Sequence, residues 1–210
     1  MKRLGILVVA CALLLGAVHL QSAPGGPPLK IVFLEGFRSP DLAGWDREWL
    51  PGFTYRAIRF EDGSVFNGAI TREVDIPEGR EVHLEFTAEI VSSRGELAVA
   101  LFHTWSGKWE GYLFHLDGES YIFQPNIRIY RMDHLEKTRL GYYPDLLIYG
   151  RHGYHFARDK AGNWRLWIDG FAVENVPFRP DDTYQGFTRV GFISNGPQAR
   201  LSRLMVRVGG

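Results

Sequence analysis

Residues 154–170 read YHFARDKAGNWRLWIDG, and this stretch decides the fold class. Its two runs of aromatic and aliphatic residues, at 154–158 and 164–168, have the length and composition of β-strands. The residues between them include Gly162 and Asn163, which favour a hairpin turn. Asp169-Gly170 predicts a further turn directly after the second run. The stretch therefore predicts adjacent antiparallel strands, the repeating unit of an all-β domain.

The clearest single strand is Val82–Ile90, in which apolar and polar residues alternate strictly. This period of two indicates a strand with one face in the core and one in water. No part of the chain after residue 30 has a convincing helical period, and the best candidate, 132–140, is short, polar and without caps. Many short strands at regular spacing predict a sandwich or a barrel. Further strands are predicted at residues 31–34, 97–104, 112–116, 127–130, 171–176, 190–193 and 204–208.

The N-terminus has the pattern of a signal peptide. Lys2 and Arg3 precede an apolar run from residue 4 to residue 20, which corresponds to a charged region followed by a hydrophobic one. A retained membrane anchor is the alternative, but the run is short for a span of about 20 residues and a Pro/Gly-rich stretch follows it directly. We therefore predict a signal peptide at 1–22, a linker at 23–30, a single domain at 31–210, no membrane span in the mature chain, and a secreted or periplasmic location.

Charge and cysteine content exclude several classes of function. The chain has 24 basic and 24 acidic residues, and removal of Lys2 and Arg3 leaves the mature chain slightly acidic. Nucleic-acid binding needs a basic face, and attraction to anionic lipid needs a polybasic run, so we predict neither partner. Cys11 is the only cysteine, and a lipoprotein cleavage site there would cut the apolar run in half. The mature chain therefore has no thiol for disulfides, zinc ligation or catalysis.

The hairpin of residues 154–168 resembles the concanavalin A-like lectin/glucanase superfamily. Members of that superfamily often carry a strand, a G-x-W hairpin such as Gly162-Asn163-Trp164, and an apolar strand that ends in Asp-Gly. The closing residues 186–208 and the earlier segment 70–76 fit the same resemblance, which extends to laminin G-like and 3-keto-disaccharide hydrolase-like domains. It covers nearly the whole mature chain and implies an antiparallel β-sandwich with a jelly-roll topology. Its motifs are structural, so they specify little about activity.

The middle third of the chain is rich in residues suited to carbohydrate. Sugars present C–H faces that stack on aromatic rings, and hydroxyls that bond to His, Arg, Asp and Glu. Two tryptophans flank a short turn that suits the rim of a groove, although large sandwiches also use such rings for packing. Tyr142 and Tyr143 lie in the same third. The candidate carbohydrate-binding residues are Trp105, Trp109, Tyr112, His115, Arg128 and Tyr130.

The segment from Glu73 to Glu78 matches the E-x-D-x-x-E pattern of laminarinase-like glucanases, which share the jelly-roll fold. In a strand Glu73 and Asp75 share a face, but Glu78 points the other way, and Pro77 indicates the end of the strand. We therefore predict an edge strand there and assign no catalytic residues. An enzyme that cleaves glycosides, either a glucanase-like or 3-keto-disaccharide hydrolase-like hydrolase or a lyase, remains the alternative function. An adhesion or scaffold domain without a small ligand is the third.

Calcium is the one cofactor that the sequence leaves open. Asp181 and Asp182, with Asp117 or Asp159, supply oxygen atoms of the kind that calcium prefers, although Asp181-Asp182 also fits a solvated loop. No other cofactor is indicated. The leading prediction is a secreted, lectin-like carbohydrate-binding module whose partner is an oligo- or polysaccharide. The sequence gives no indication of oligomeric state.

Overall fold

The computed structural model describes residues 28–39, 42–46, 59–105, 108–118, 125–134, 136–144, 148–174, 178–194 and 198–210, with only the backbone of Trp105. The predicted signal peptide and most of the predicted linker lie outside these residues, so both stay predictions. Within the described ranges there is no helix long and apolar enough to cross a membrane.

Two antiparallel sheets lie face to face. The first has eight strands in the order β12-β11-β10-β5-β14-β3-β2, with β1 also paired to β14, and the second has six in the order β4-β13-β6-β7-β8-β9. Consecutive strands β6 to β9 therefore form a meander within the second sheet. The strands are β1 Lys30–Glu35, β2 Arg59–Glu61, β3 Ser64–Phe66, β4 Gly68–Ile76, β5 Val82–Ile90, β6 Glu96–Trp105, β7 Lys108–Asp117, β8 Asn126–Asp133, β9 Glu136–Pro144, β10 Gly150–Arg158, β11 Trp164–Ile168, β12 Phe171–Ala172, β13 Phe187–Ser194 and β14 Ala199–Val208.

The predicted all-β sandwich is confirmed. Strand β5 has the predicted bounds, and β10 pairs with β11 as the hairpin pattern indicated. The stretch 132–140, the best helical candidate, instead spans the end of β8 and the start of β9, with His134 in a left-handed conformation at a φ of 61° between them. The strand predicted at 171–176 is shorter, because β12 ends at Ala172.

The core fills the space between the sheets with alternate residues of each strand. On β5 the inward side chains include Leu84 and Phe86, and the Phe86 ring lies 5.9 Å from that of Phe156 on the neighbouring strand β10. Phe114, from the opposite sheet, lies 4.8 Å from the same Phe156 ring. Burying each such side chain stabilises the fold by about 1.5–3 kcal/mol. These contacts fix which face of each strand is turned away from the core.

Candidate functional site

The six-stranded sheet has an outer face, turned away from the core, that carries polar side chains in register. Ala98, His115, Arg128 and Tyr142 are successive partners across β6, β7, β8 and β9. Because directly paired residues lie on the same face of a sheet, these four side chains form one row. We use the name polar row for a cluster on this face that includes the two adjoining rows: His115, Arg128 and Tyr142 of the first row, Glu96 and Asp117 of the row on one side, and Tyr130 of the row on the other.

Hydrogen bonds hold the polar row together. The Nε2 atom of His115 lies 2.8 Å from Oε1 of Glu96. One nitrogen of the Arg128 guanidinium lies 3.2 Å from an Asp117 oxygen, and another donates to the Tyr130 hydroxyl at 3.4 Å. Each of the two carboxylates therefore has a basic neighbour, which keeps the rotamers fixed on rigid strands.

The polar row lies beside an apolar patch on the same outer face. The Trp109 ring stacks on the Phe102 ring at 4.1 Å and 9°, and Ala98, Ala100 and Leu113 pack around them. Trp109 is only 6% exposed and Phe102 only 1%. The prediction that the Trp109 ring stacks on a saccharide is corrected, because the ring lies on the expected face of the sheet but is buried by packing.

Tyr112 lies on the opposite face of β7 and is also corrected as a binding residue. It is fully buried in the core, and its ring lies edge-on to that of Trp164 at 5.3 Å. Its hydroxyl donates to Oδ1 of Asp181 at 2.7 Å, and Arg158 sits over its ring at 5.3 Å. Since His115 is three residues further along the same strand, the two side chains necessarily point to opposite faces.

The Asp181 carboxylate, a candidate calcium ligand, is occupied by protein donors. It accepts hydrogen bonds from the Tyr112 hydroxyl, from Arg131 at 2.8 Å and from the Thr183 N–H at 3.2 Å. Burial alone would raise the pKa of this carboxyl, but these hydrogen bonds outweigh it and hold the pKa below its ordinary value. Asp182 is exposed. Within the described ranges no group of three or more His, Cys, Asp or Glu residues is placed to hold a metal. Calcium binding stays a prediction.

The fold can be compared with known proteins. No protein-family model and no curated protein matches the chain. Solved structures do. The CBM2 module of the Lactobacillus casei BL23 phage J-1 evolved Dit has a TM-score of 0.63 at 8% identity, over 87% of this chain and 96% of that one. This chain has a concanavalin A-like jelly-roll fold.

Two further structures share the jelly roll. The carbohydrate-binding module CBM66 from Bacillus subtilis has a TM-score of 0.53 at 11% identity, over 76% of this chain and 91% of that one. A beta-porphyranase from the human gut bacterium Bacteroides plebeius has a TM-score of 0.56 at 11% identity, over 91% of this chain and 94% of that one. Identities this low show a common fold and not a common activity.

Within the jelly roll, the segment from Glu73 to Glu78 occupies an edge. Strand β4 is the edge strand of the six-stranded sheet and ends at Ile76, as predicted. The Glu73 side chain is 87% exposed, and Glu78 follows the end of the strand. The two carboxylates therefore do not share one strand face.

The remaining candidate and the residues that sequence analysis missed lie on the meander. Trp105 is the last residue of β6, paired with Lys108, and its side chain lies outside the described residues. Glu96 was not predicted, although it lies two residues before Ala98 and so shares its face. Arg139 was also missed, since its face depends on an irregularity of β9. Burial lowers the pKa of Lys137 on the same strand, while the Glu96 carboxylate opposes this shift.

A second titratable cluster lies on the outer face of the eight-stranded sheet of the jelly roll. The Nδ1 atom of His83 lies 2.8 Å from Nε2 of His155, and His83 Nε2 lies 3.0 Å from a Glu81 oxygen. The His155 ring stacks on Trp167 at 4.6 Å. Burial, His83 and Arg207 together lower the pKa of His155 to about 3, and burial lowers the pKa of His83 although Glu81 opposes it. Both rings are therefore neutral at pH 7.

Proposed function

We propose that this protein binds a saccharide at the polar row. The observation that carries the proposal is the alignment of His115, Arg128 and Tyr142, in register, on three neighbouring strands of the six-stranded sheet. Glu96 of the fourth strand lies opposite Asp117 in the adjacent row. Arg128 supplies donors, Glu96 and Asp117 supply acceptors, and Tyr142 adds a half-buried ring. This is the combination that sugar hydroxyls and C–H faces recognise.

The rigidity of the site supports binding. Because His115 is held by a hydrogen bond and Asp117 and Arg128 by an ion pair on paired strands, a ligand would order few side chains when it binds, and the entropic cost of association is low. Two of the similar structures are carbohydrate-binding modules by name. With the predicted signal peptide, they support a carbohydrate-binding role outside the cytoplasm.

Glycan-array binding of the mature chain, followed by affinity measurements on Arg128→Lys, tests this function. Lysine keeps a positive charge beside Asp117 but loses the planar set of donors, so we expect saccharide affinity to fall about ten-fold. Arg151→Ala is the matched control, because Arg151 is exposed on the other sheet and bonds to Ser202. Unchanged affinity in Arg128→Lys, with the hits of the array retained, would contradict the placement of the site.

Hydrolysis of the saccharide is the second candidate, because Glu96 and Asp117 are direct partners on the outer face. Directly opposed residues have Cβ atoms about 4.5–5.5 Å apart. Side chains that leave the sheet this close together can bring their carboxyl groups to the separation of about 5–5.5 Å that a retaining glycosidase uses. Catalysis would be established if the wild type released reducing sugar and the rate of release fell about a hundred-fold or more in Glu96→Gln. The absence of any release from polysaccharides that the chain binds would exclude it for those ligands.

A further inference from the structure

Two guanidinium groups flank one tyrosine ring at the end of the polar row. The Cζ atom of Arg128 lies 5.9 Å from the centroid of the Tyr142 ring, and that of Arg139 lies 5.6 Å from the same centroid. A cation–π contact leaves the N–H groups at the edge of a guanidinium able to form hydrogen bonds. Those of Arg128 already reach Asp117 and Tyr130, whereas those of Arg139 have no acceptor in the described part of the chain. The three side chains form a compact, positively charged surface with aromatic support.

A β-bulge brings Arg139 onto this surface. Residues three apart in a regular strand point to opposite faces, so Arg139 and Tyr142 should not meet. The pairing of β8 with β9 shifts between Ile129, which is opposite Gly141, and Tyr130, which is opposite Arg139. Leu140 is the extra residue and is buried. Bulges re-aim side chains in this way, and here the result is that both Arg139 and Tyr142 lie on the outer face.

Not every charge of the site is paired within the described residues. Glu96 is paired with His115 and Asp117 with Arg128. Arg139 is exposed, and in the described part of the chain its guanidinium makes the ring contact with Tyr142 but no ion pair. The Arg139 guanidinium is therefore a positive charge without a counter-ion among the described residues, at the outer end of the polar row.

We infer that the saccharide bound at this site is acidic, and that its carboxylate or sulfate group is received by Arg139 and Arg128 beside Tyr142. This inference rests on the proposed function. Guanidinium groups bond to both anions through two parallel N–H donors. The Tyr130 hydroxyl, which accepts a hydrogen bond from Arg128, has its own proton to donate to the same anion. A neutral sugar has no negatively charged group to pair with the Arg139 guanidinium.

Pairs of polymers that differ only in charge test the inference. The probes are polygalacturonate against its methyl ester, and dextran sulfate against dextran, measured with the full mature chain. We expect at least one charged polymer to bind about ten-fold or more tightly than its neutral partner. Added salt, from about 0.05 to about 0.5 M, should weaken that preference, because it screens exposed charges. The polymer pair that shows the preference identifies the anion as carboxylate or sulfate.

Arg139→Ala should abolish most of the preference, while the fold, followed by circular dichroism, stays intact because the side chain is exposed. Arg165→Ala removes the same charge from an exposed position on the other sheet and should change affinity less than two-fold, or roughly the effect of a remote surface charge. Equal losses in both variants would overturn the inference, since they indicate non-specific attraction. Equal binding of charged and neutral polymers would overturn it and leave the proposed function standing. Binding of no polymer, with no hit on the glycan array, would instead refute the proposed function.

Discussion

Replacing Tyr112 with phenylalanine removes one hydroxyl from the interior and leaves the ring in place. That hydroxyl donates to the Asp181 carboxylate at 2.7 Å and accepts from the Tyr184 N–H at 3.3 Å. Hydrogen bonds to charged groups contribute about 1.5–3 kcal/mol. Asp181 keeps its hydrogen bonds from Arg131 and Thr183, so the substitution removes one hydrogen bond from the carboxylate but does not leave it without partners. We therefore expect Tyr112→Phe to lower the free energy of unfolding by about 2 kcal/mol.

Urea unfolding at pH 7 measures this change, and a second series at lower pH tests its origin. The pKa of Asp181 is held below its ordinary value in the folded state, so its stabilisation is present above about pH 3.9 and is lost as the pH falls through the folded pKa. Loss of the Tyr112 hydroxyl raises that folded pKa. The difference in the free energy of unfolding between Tyr112→Phe and wild type should therefore become smaller as the pH decreases below about 4.

Tyr143→Phe is the matched control, because Tyr143 is half-buried and its hydroxyl makes no hydrogen bond in the described part of the chain. Its stability should stay within about 0.5 kcal/mol of wild type. A change of similar size in Tyr112→Phe, independent of pH, would refute the placement of this hydroxyl on Asp181. Saccharide affinity should be unaffected, because the ring faces the core.

Two further outcomes concern buried rings. The free energy of unfolding should fall as the pH decreases from 7 to 5, by up to about 1.4 kcal/mol per pH unit, because His155 stays neutral when folded but binds a proton near pH 6.5 when unfolded. His155→Phe should reduce that slope, and an unchanged slope would contradict the assignment. Trp109→Ala should cost about 3–5 kcal/mol, since the ring is buried against Phe102, whereas Phe171→Ala, at 80% exposure, should cost no more than about 0.5 kcal/mol. A selective loss of saccharide affinity in Trp109→Ala, without loss of stability, would restore a binding role for this ring.

The fold was predictable because its signals are local. The alternation in Val82–Ile90 reports the two faces of one strand, and the Gly162-Asn163 turn reports a single hairpin. Neither depends on distant parts of the chain. The strand-ending effect of Pro77 was readable for the same reason.

The site was only partly predictable, because it depends on which face of each strand is covered. Arg128 and Tyr130 are two residues apart and share the outer face, as alternation requires. Alternation also separates Tyr112 from His115, but the sequence does not show which of the two faces the core. The burial of Trp109 follows from packing against residues of neighbouring strands. The bulge at Leu140 has no sequence signal that we identified, so Arg139 could not be placed.

The polar row belongs to strands that follow one another along the chain. The polar row extends from Glu96 on β6 to Tyr142 on β9, the first and last strands of a continuous four-strand meander. The eight-stranded sheet, by contrast, joins segments from both ends of the domain. Contacts that are close in sequence form early and with little loop-closure entropy. Recombination that exchanged this one continuous segment between jelly rolls would therefore move the whole polar row while leaving the other sheet untouched.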